Sequence, residues 1–523
     1  MSLRTSKPSM SLFDQNIPYL ERIGRKVPVA STKTALVTAA LVPIWAVTVL
    51  PLTILYQGVN FIFLKPLQTT SREDFLPPLD SGHHVDPATV VPRADRKYDV
   101  IVLGATGFTG KLAARHLALQ YGVDNTVKWA IAGRSLTKCK AVLQELAEEL
   151  QNPDILNVDT IEVDVTVPST LPALVEQTRV VATTAGPYTY HGNTVVEFCA
   201  KYGTHYCDIT GEVDWVKAML VKWQETAAQT GAKLVSFCGH DSIPWDLTVM
   251  KLQQALKEEC QDDLQTVTMW DEMVGGAPGG TLATFFANLD GKAIQAPVAD
   301  FDPMLRLPDG SKSPFVARAD LSWTVAPSTS PWETNKESGA RRYTMPFVMA
   351  PVNAKVVRWS HALRQAGAHS LVYRESCLCG DWKTAFVSYT GLIMFGSMLL
   401  NPVTRGWLSR FGGLPQPGQG PSMKNMQDKH YLCVSAEGIG AAGNRCESTI
   451  YFPKDAGCLE TSRMLVESAL CLALQEENLP VQPGGFWSPS TALGQVLLDR
   501  LVATGTHFES RVIPVEAAMR SKL

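Results

Sequence analysis

From residue 97 onward the chain alternates short runs of apolar, mostly β-branched residues with longer stretches whose apolar positions recur at helical spacing. Six runs read as strands, at residues 98–103, 128–132, 160–165, 179–184, 205–209 and 233–238. Helical patterns fill the gaps at 111–121, 137–150, 194–202 and 214–230. Near-continuous apolar strands joined by helices belong in a parallel sheet with both faces covered, so the pattern predicts a doubly wound α/β domain over residues 97–243. A second α/β unit begins near Pro244. Residues 266–272 alternate like a strand, and Gly275, Gly276, Gly279 and Gly280 after it offer a sharp turn or a lid hinge.

Residues 1–96 form an extension of a different kind. Residues 34–64 hold no charged side chain, which exceeds the ~20 residues that cross a hydrocarbon core. Arg22, Arg25, Lys26 and Lys33 precede this run, while Lys65 and Arg72 follow it ahead of Glu73 and Asp74, a weak bias toward a cytosolic N-terminus. Pro43 and Pro51 interrupt it, so a kinked transmembrane helix, a re-entrant hairpin and an interfacial anchor all remain open. A cleaved signal peptide does not fit so long a stretch placed so far into the chain. A second uncharged stretch, 384–404, contains Gly391, Gly396, Asn401 and Pro402 and reads as a buried or membrane-resting helix. At the other end, Ser521, Lys522 and Leu523 spell the address read by the peroxisomal import receptor. Both ends are satisfied by a protein associated with the membrane of a peroxisome or glycosome-like organelle, with the endoplasmic reticulum or a lipid droplet as the alternative.

Composition narrows the function. The 523 residues exceed one ordinary domain, and 45% hydrophobic against 19% charged excludes disorder. A net charge of -3 gives no basic field to hold nucleic acid. The eleven cysteines are scattered, and Cys377 and Cys379 are too close for a zinc knuckle, so reduced, buried thiols are expected and no metal site. His361 and His369 lie among apolar residues and read as core or surface. No HExxH, Walker loop or nucleophile elbow is present.

The candidate chemistry begins after the first strand, at Gly104, Ala105, Thr106, Gly107, Phe108, Thr109 and Gly110. The glycines are spaced GxxGxxG where the common dinucleotide fingerprint has GxGxxG. The physics is the same: Gly104 makes the tight turn, Gly107 lets backbone approach a pyrophosphate, and Gly110 lets the helix close on the strand. The helix N-terminus then offers free N–H groups and a positive dipole end to the phosphates. At the end of the second strand a carboxylate would bind a ribose diol, and a cation would accept a 2'-phosphate. Arg134, Ser135 and Lys138 stand there and no acid does, which selects NADP over NAD. Asp164 ends the third strand and either meets the adenine edge or caps a helix. Ala185, Gly186 and Pro187 follow the fourth strand, at the edge where the nicotinamide is expected. Tyr188, Tyr190 and His191 come next, each able to donate a proton or merely to pack.

Four stretches together resemble the saccharopine dehydrogenase-like oxidoreductase family, in the branch of the trans-acting enoyl reductases. They are GATGFTG from Gly104, GPYTYHGNTVVEFCAKYGTHYCDITGE from Gly186, GHDSIPWDL from Gly239 and GGTLAT from Gly279. GQGPS from Gly418, MLVESALCLA from Met464 and FWSPSTALGQVLLDRL from Phe486 extend the likeness, which covers roughly residues 97–510. The resemblance implies an NAD(P)-binding Rossmann domain, a second α/β domain over 244–480 closing on the nicotinamide, and a segment over 481–523 that packs back on the first. It also implies reduction of lipid-bound double bonds in the bacterial branch and lipid-droplet or membrane association in eukaryotic members. The lysine and histidine pair of saccharopine-forming enzymes has no counterpart here, which argues against lysine metabolism.

Hydride transfer needs an acceptor held against the nicotinamide, a proton source and exclusion of water. The sixth strand leads into Gly239, His240, Asp241, Ser242, Ile243 and Pro244. Asp241 is the first candidate for a catalytic role, with Tyr188 and His191 beside it, although Asp and Ser ahead of an early Pro also spell ordinary helix capping. Asp208 and Glu212 face the same rim. The resulting expectation is a membrane-associated, NADPH-linked oxidoreductase acting on an enoyl or carbonyl group of a lipid-like substrate. Two alternatives remain: a catalytically silent nucleotide-binding element on lipid surfaces, and a soluble amino-acid dehydrogenase. A homodimer is left open.

Overall fold

The computed structural model describes residues 29–59, 78–123, 126–275, 324–325, 332–334, 341–364, 371–411, 415, 418–481 and 483–515. Arg22, Arg25, Lys26, residues 60–64, Lys65, Arg72, Glu73, Asp74, Gly276, Gly279, Gly280, His369 and the terminal Ser521, Lys522 and Leu523 lie outside the described residues.

An apolar helix, α1 (Thr32–Val59), comes first. The doubly wound body follows as β1 (Tyr98–Leu103), α2 (Phe108–Gln120), β2 (Trp129–Gly133), α3 (Leu136–Glu149), β3 (Asp159–Glu162), β4 (Thr178–Thr183), α4 (Asn193–Tyr202), β5 (His205–Asp208), α5 (Val213–Thr230) and β6 (Lys233–Val235). Every strand matches its sequence-predicted run to within three residues at either end. All pairings in this sheet are parallel, and the strand order runs β6–β5–β4–β1–β2–β3. The order reverses between β1 and β4, so their carboxyl ends frame the crevice where such sheets bind ligands. Val100, Ile101, Val102 and Leu103 are buried on both faces, which is why this strand reads as an unbroken apolar run.

The junction to the second sheet is α6 (Ile243–Cys260), whose Trp245, Leu247, Val249 and Leu252 are buried. The second sheet contains β7 (Leu264–Val274), β8 (Thr324–Val325), β9 (Trp332–Thr334) and β10 (Arg341–Met345). After α7 (Ala350–Leu363) and β11 (Val372–Cys379), two exposed helices follow, α8 (Trp382–Leu400) and α9 (Pro402–Phe411). The strands β12 (Tyr431–Gly440) and β13 (Arg445–Phe452) complete this part of the sheet, and α6 packs across β7, β12 and β13.

The chain then returns to the first sheet. Helix α10 (Thr461–Leu474) is almost wholly buried against β1, β4, β5 and α2. Strand β14 (Gly485–Trp487) adds a seventh parallel strand beside β6, α11 (Gly494–Ala503) packs on α10, and β15 (His507–Ile513) goes back to pair with β13. Residues 481–513 therefore serve both sheets, and contact with the first begins at Thr461, ahead of the boundary drawn from sequence. The buried Glu467 on α10 ties the pieces together: it lies 2.8 Å from His116 Nε2 on α2, from the Tyr121 hydroxyl and from Arg500 Nε on α11. Burial alone would raise its pKa, but these partners hold it below the usual carboxylate range.

The 384–404 stretch is not a buried helix. It divides at Asn401 and Pro402, and α8 is covered chiefly where α1 lies along it.

A buried acid pair bridges neighbouring strands of the second sheet. Asp271 on β7 accepts from Trp245 Nε1 at 3.0 Å, and Glu375 on β11 accepts from the Tyr373 hydroxyl at 2.6 Å and from Asn353 Nδ2 at 2.8 Å. Burial pushes Glu375 up to about 7 and Asp271 well above the carboxylate range, and the Glu375 charge adds to the rise at Asp271. A carboxyl whose pKa is raised by folding contributes stability below its unfolded value, and that contribution is lost as pH rises through the folded value. Glu375→Gln, which keeps shape and removes the titration, should therefore unfold at a higher temperature than the parent at about pH 8 and show no such advantage at about pH 5. Equal midpoint shifts at both pH values, read by differential scanning calorimetry, would contradict this.

Candidate dinucleotide and reduction site

The crevice is formed by backbone that only glycine fits. Gly104 has φ +86°, in the left-handed region, and its carbonyl accepts from the Gly107 amide at 2.9 Å. A Cβ on Gly110 would sit 2.3 Å from the Gly104 carbonyl oxygen and 2.7 Å from Thr184 Oγ1, so α2 closes directly on the β1 turn. Gly107 is the N-cap residue of α2, and no side chain caps this helix. The first-turn N–H groups consequently face the crevice, beside the exposed Thr106 and the half-buried Thr109, in the arrangement that suits a pyrophosphate. Phe108 is pinned from outside, since Gly420 lies so close to its ring that a Cβ there would come within 2.4 Å. That places the GQGPS stretch against the phosphate loop.

At the end of β2, Arg134 is exposed, and Ser135 caps α3 by accepting from the Lys138 amide at 3.4 Å. Lys138 is exposed one turn into the same helix. Asp164 accepts from the Thr166 hydroxyl at 2.7 Å and amide at 2.9 Å, and these bonds, with Arg134 nearby, hold it below the usual carboxylate range. His191 shares this neighbourhood. Burial and then the Arg134 charge push its pKa below the usual histidine value, and its Nδ1 is buried without a hydrogen-bond partner. Arg134, Asp164 and His191 thus lie near enough for their charges to act on one another.

The β4 loop runs across the switch point. Thr184 Oγ1 donates toward the Gly104 carbonyl at 3.2 Å, Ala185 N donates to Thr183 Oγ1 at 3.2 Å, and Gly186 is exposed before a cis bond to Pro187. Tyr188 is corrected. Its side chain turns into the core, its hydroxyl donates to the Thr183 carbonyl at 3.0 Å, and burial raises its pKa well above the usual phenol value. Glu212 accepts from the Tyr188 and Thr189 amides at 2.7 and 2.9 Å, which fixes the turn after Pro187. Asp208 accepts from the Tyr206 and Ser236 hydroxyls and from the Thr210 and Phe237 amides, and burial pushes it up to about 6. Both acids therefore shape the rim from beneath it.

Asp241 remains as a partly exposed carboxylate on that rim. It lies 3.5 Å from His240 Nδ1 and close to the Gly211 backbone. His240 is the residue that sequence reasoning passed over. Its amide donates to Thr461 Oγ1 at 3.1 Å, and its ring is held by Trp245 at 5.2 Å and Phe347 at 6.2 Å. Its Nε2 is buried without a partner, a polar atom left available in an aromatic enclosure. The letters HD ahead of a helix were visible, but Phe347 is distant in sequence and nothing local announces that it closes the enclosure. Trp245 also connects this ring to the acid pair through Asp271.

Comparison with known proteins decides the family. The family model for the saccharopine dehydrogenase NADP binding domain matches residues 100–235. A Mycobacterium bovis protein named trans-acting enoyl reductase is 32% identical over 431 residues, covering 79% of this chain and 97% of its own length. A Mycobacterium tuberculosis protein carrying that name provisionally is 34% identical over 428 residues, covering 79% of this chain and 98% of its own. The chain belongs to the saccharopine dehydrogenase-like oxidoreductase family. This oxidoreductase is an NAD(P)-dependent enzyme, and its first sheet is an NADP-binding domain. The apo saccharopine dehydrogenase (L-Glu forming) of Saccharomyces cerevisiae is similar at a TM-score of 0.45 and 13% identity, over 79% of this chain and 99% of that one.

The residues present fit the dinucleotide: uncapped amides at α2, a glycine cradle that a Cβ would fill, and a cation in place of an acid immediately after β2. Arg134→Ala should weaken NADPH by roughly 10- to 100-fold, the range for one charge-assisted hydrogen bond, while changing NADH little. Calorimetric titrations giving equal losses for the two coenzymes would remove the 2'-phosphate assignment.

Proposed function

We propose that this oxidoreductase reduces an enoyl or carbonyl group of a lipid-like substrate at a membrane surface, using NADPH. The observation that carries the reading is the identity of 32–34% across four-fifths of the chain to proteins named trans-acting enoyl reductase. The exposed apolar side chains of α1 and α8, whose charges are confined to Lys33 and Lys383 in their first turns, support the apolar half of it.

Bound NADPH supplies a hydride. The protein's own work is to orient the acceptor, exclude water and deliver one proton to the atom next to the one that receives the hydride. We assign that delivery to His240 and Asp241: the carboxylate lies 3.5 Å from Nδ1, and Nε2 is a buried polar atom without a hydrogen-bond partner. The buried rings of Trp245 and Phe347 keep water from the imidazole. Solvent reprotonates the pair through the exposed edge of Asp241 after each turnover. The proposed location is the membrane of a peroxisome, with the endoplasmic reticulum or a lipid droplet as the other destination, and a homodimer is compatible with this reading.

The test is NADPH oxidation with trans-2-enoyl and 3-keto lipids presented in phosphatidylcholine vesicles. Turnover is expected, and Asp241→Asn should lower kcat by roughly 10²-fold, within the usual range for general acid catalysis, with NADPH affinity unchanged. Tight NADPH binding without oxidation by any of these lipids would favour the silent nucleotide-binding alternative.

A further inference from the structure

The proposed membrane association leaves open how the apolar helices meet lipid, and the geometry of their pairing restricts the answer. Helices α1 and α8 run in the same direction. The Ala30 amide donates to Thr384 Oγ1 at 2.8 Å at one end, Trp45 Nε1 donates to Ser397 Oγ at 2.7 Å further along, and Gln57 Nε2 donates to the Leu400 carbonyl at 3.0 Å at the other. The polar groups of this seam are satisfied within the pair: Thr53 donates to Val49 and Ser397 carbonyls, and Ser397 donates to the Met394 carbonyl. An apolar medium therefore meets Leu36, Val47, Leu52, Leu55, Ile393 and Phe395, all exposed.

Both helices start at the folded body. Strand β11 ends at Cys379, three residues before α8 begins, and α8 touches β10 and β11. The start of α1 lies beside the start of α8. Their far ends, Val59 and Leu400, must each be joined back to that same body. After Val59 the chain is docked again by Leu79 and Ser81, where the Leu79 carbonyl accepts from Trp223 Nε1 and Ser81 binds Glu197 through its amide and hydroxyl. The sequence between carries Lys65, Arg72, Glu73 and Asp74. After Leu400 the return is led by α9, whose ten residues reach ~15 Å, about half the ~30 Å hydrocarbon core, and include Arg405 and Arg410. Neither return path has the length and composition of a membrane span.

If α1 and α8 crossed a bilayer, both returns would have to cross it as well. We infer that α1, α8 and α9 enter one leaflet only, as a monotopic insert, with the folded body and both chain returns on one side of the membrane. The amphipathic α9 fits the headgroup boundary. Val403, Trp407 and Phe411 are exposed at i, i+4 and i+8, and the Arg410 guanidinium lies 5.4 Å over the Phe411 ring. Trp382, exposed at the start of α8, marks the same boundary nearer the body.

This inference rests on the membrane reading above, and one experiment separates the two. The full chain is expressed with a single added cysteine, Thr70→Cys after α1 or Glu258→Cys on the exposed end of α6, and sealed membrane vesicles are floated and treated with an impermeant maleimide-polyethylene glycol. Most native cysteines are buried, so the parent chain supplies the background. Flotation with both added cysteines modified from the same side, before detergent, is expected. Flotation with either one protected until detergent is added, while the other reacts, would overturn the one-leaflet arrangement and leave membrane association standing. Failure of the full chain to float would overturn both.

Discussion

The contact between the Gly104 carbonyl and the first turn of α2 sets the geometry on which the remainder of the site depends. Because Gly110 has no Cβ, the helix approaches the strand turn until its free amides lie at the crevice between β1 and β4. A dinucleotide phosphate there meets oriented N–H groups already in place, at a sheet edge that cannot adjust because its strands are buried on both faces. Everything downstream is measured from that point. Arg134, Asp164 and His191 are brought within electrostatic reach of one another by β2, β3 and the turn after Pro187, while His240 and Asp241 mark the rim reached through β6. The GQGPS segment, held against Phe108, ties the second half of the chain to the same loop.

The first sheet was legible in the sequence because each of its long strands carries a local signal. The runs 98–103 and 179–184 are apolar on both faces, and the intervening helices keep a helical period, so the strands emerged with nearly their observed limits. Strand β14 was not legible: three residues, Gly485–Trp487, supply no periodicity, and their partner β6 lies far back in the chain. The parallel pairing of β11 with β7 has the same non-local origin. At the site, glycine spacing and the absence of an acid after β2 identified the dinucleotide end, since backbone clearance and charge are properties of residue type. Direction is not. Tyr188 and His191 look alike as polar residues after a strand, yet one turns into the core to bond the Thr183 carbonyl and the other is only partly buried, within reach of the Arg134 charge. The unpartnered Nε2 of His240 depends on Phe347 and Thr461, which no local pattern connects to it.

The second sheet links the two environments that the proposed reaction would require. Its β11 carries Glu375 in the buried acid pair and leads within three residues into α8. Its β7 carries Asp271, which holds Trp245 against the His240 ring. A substrate arriving from a lipid surface would therefore approach along the same structural unit that encloses the rim of the crevice. The length and apolar character of α1 and α8 invite a spanning interpretation, but their common direction and the charged return paths argue for shallow insertion.

The most direct measurement is a crystal structure of the full chain with NADPH bound. The account predicts the pyrophosphate against the backbone amides at Gly107–Gly110, the 2'-phosphate beside Arg134, and the reactive face of the nicotinamide turned toward His240 and Asp241. A crevice at Gly104 filled by the protein's own side chains, with the dinucleotide bound elsewhere or absent at saturating concentration, would contradict it.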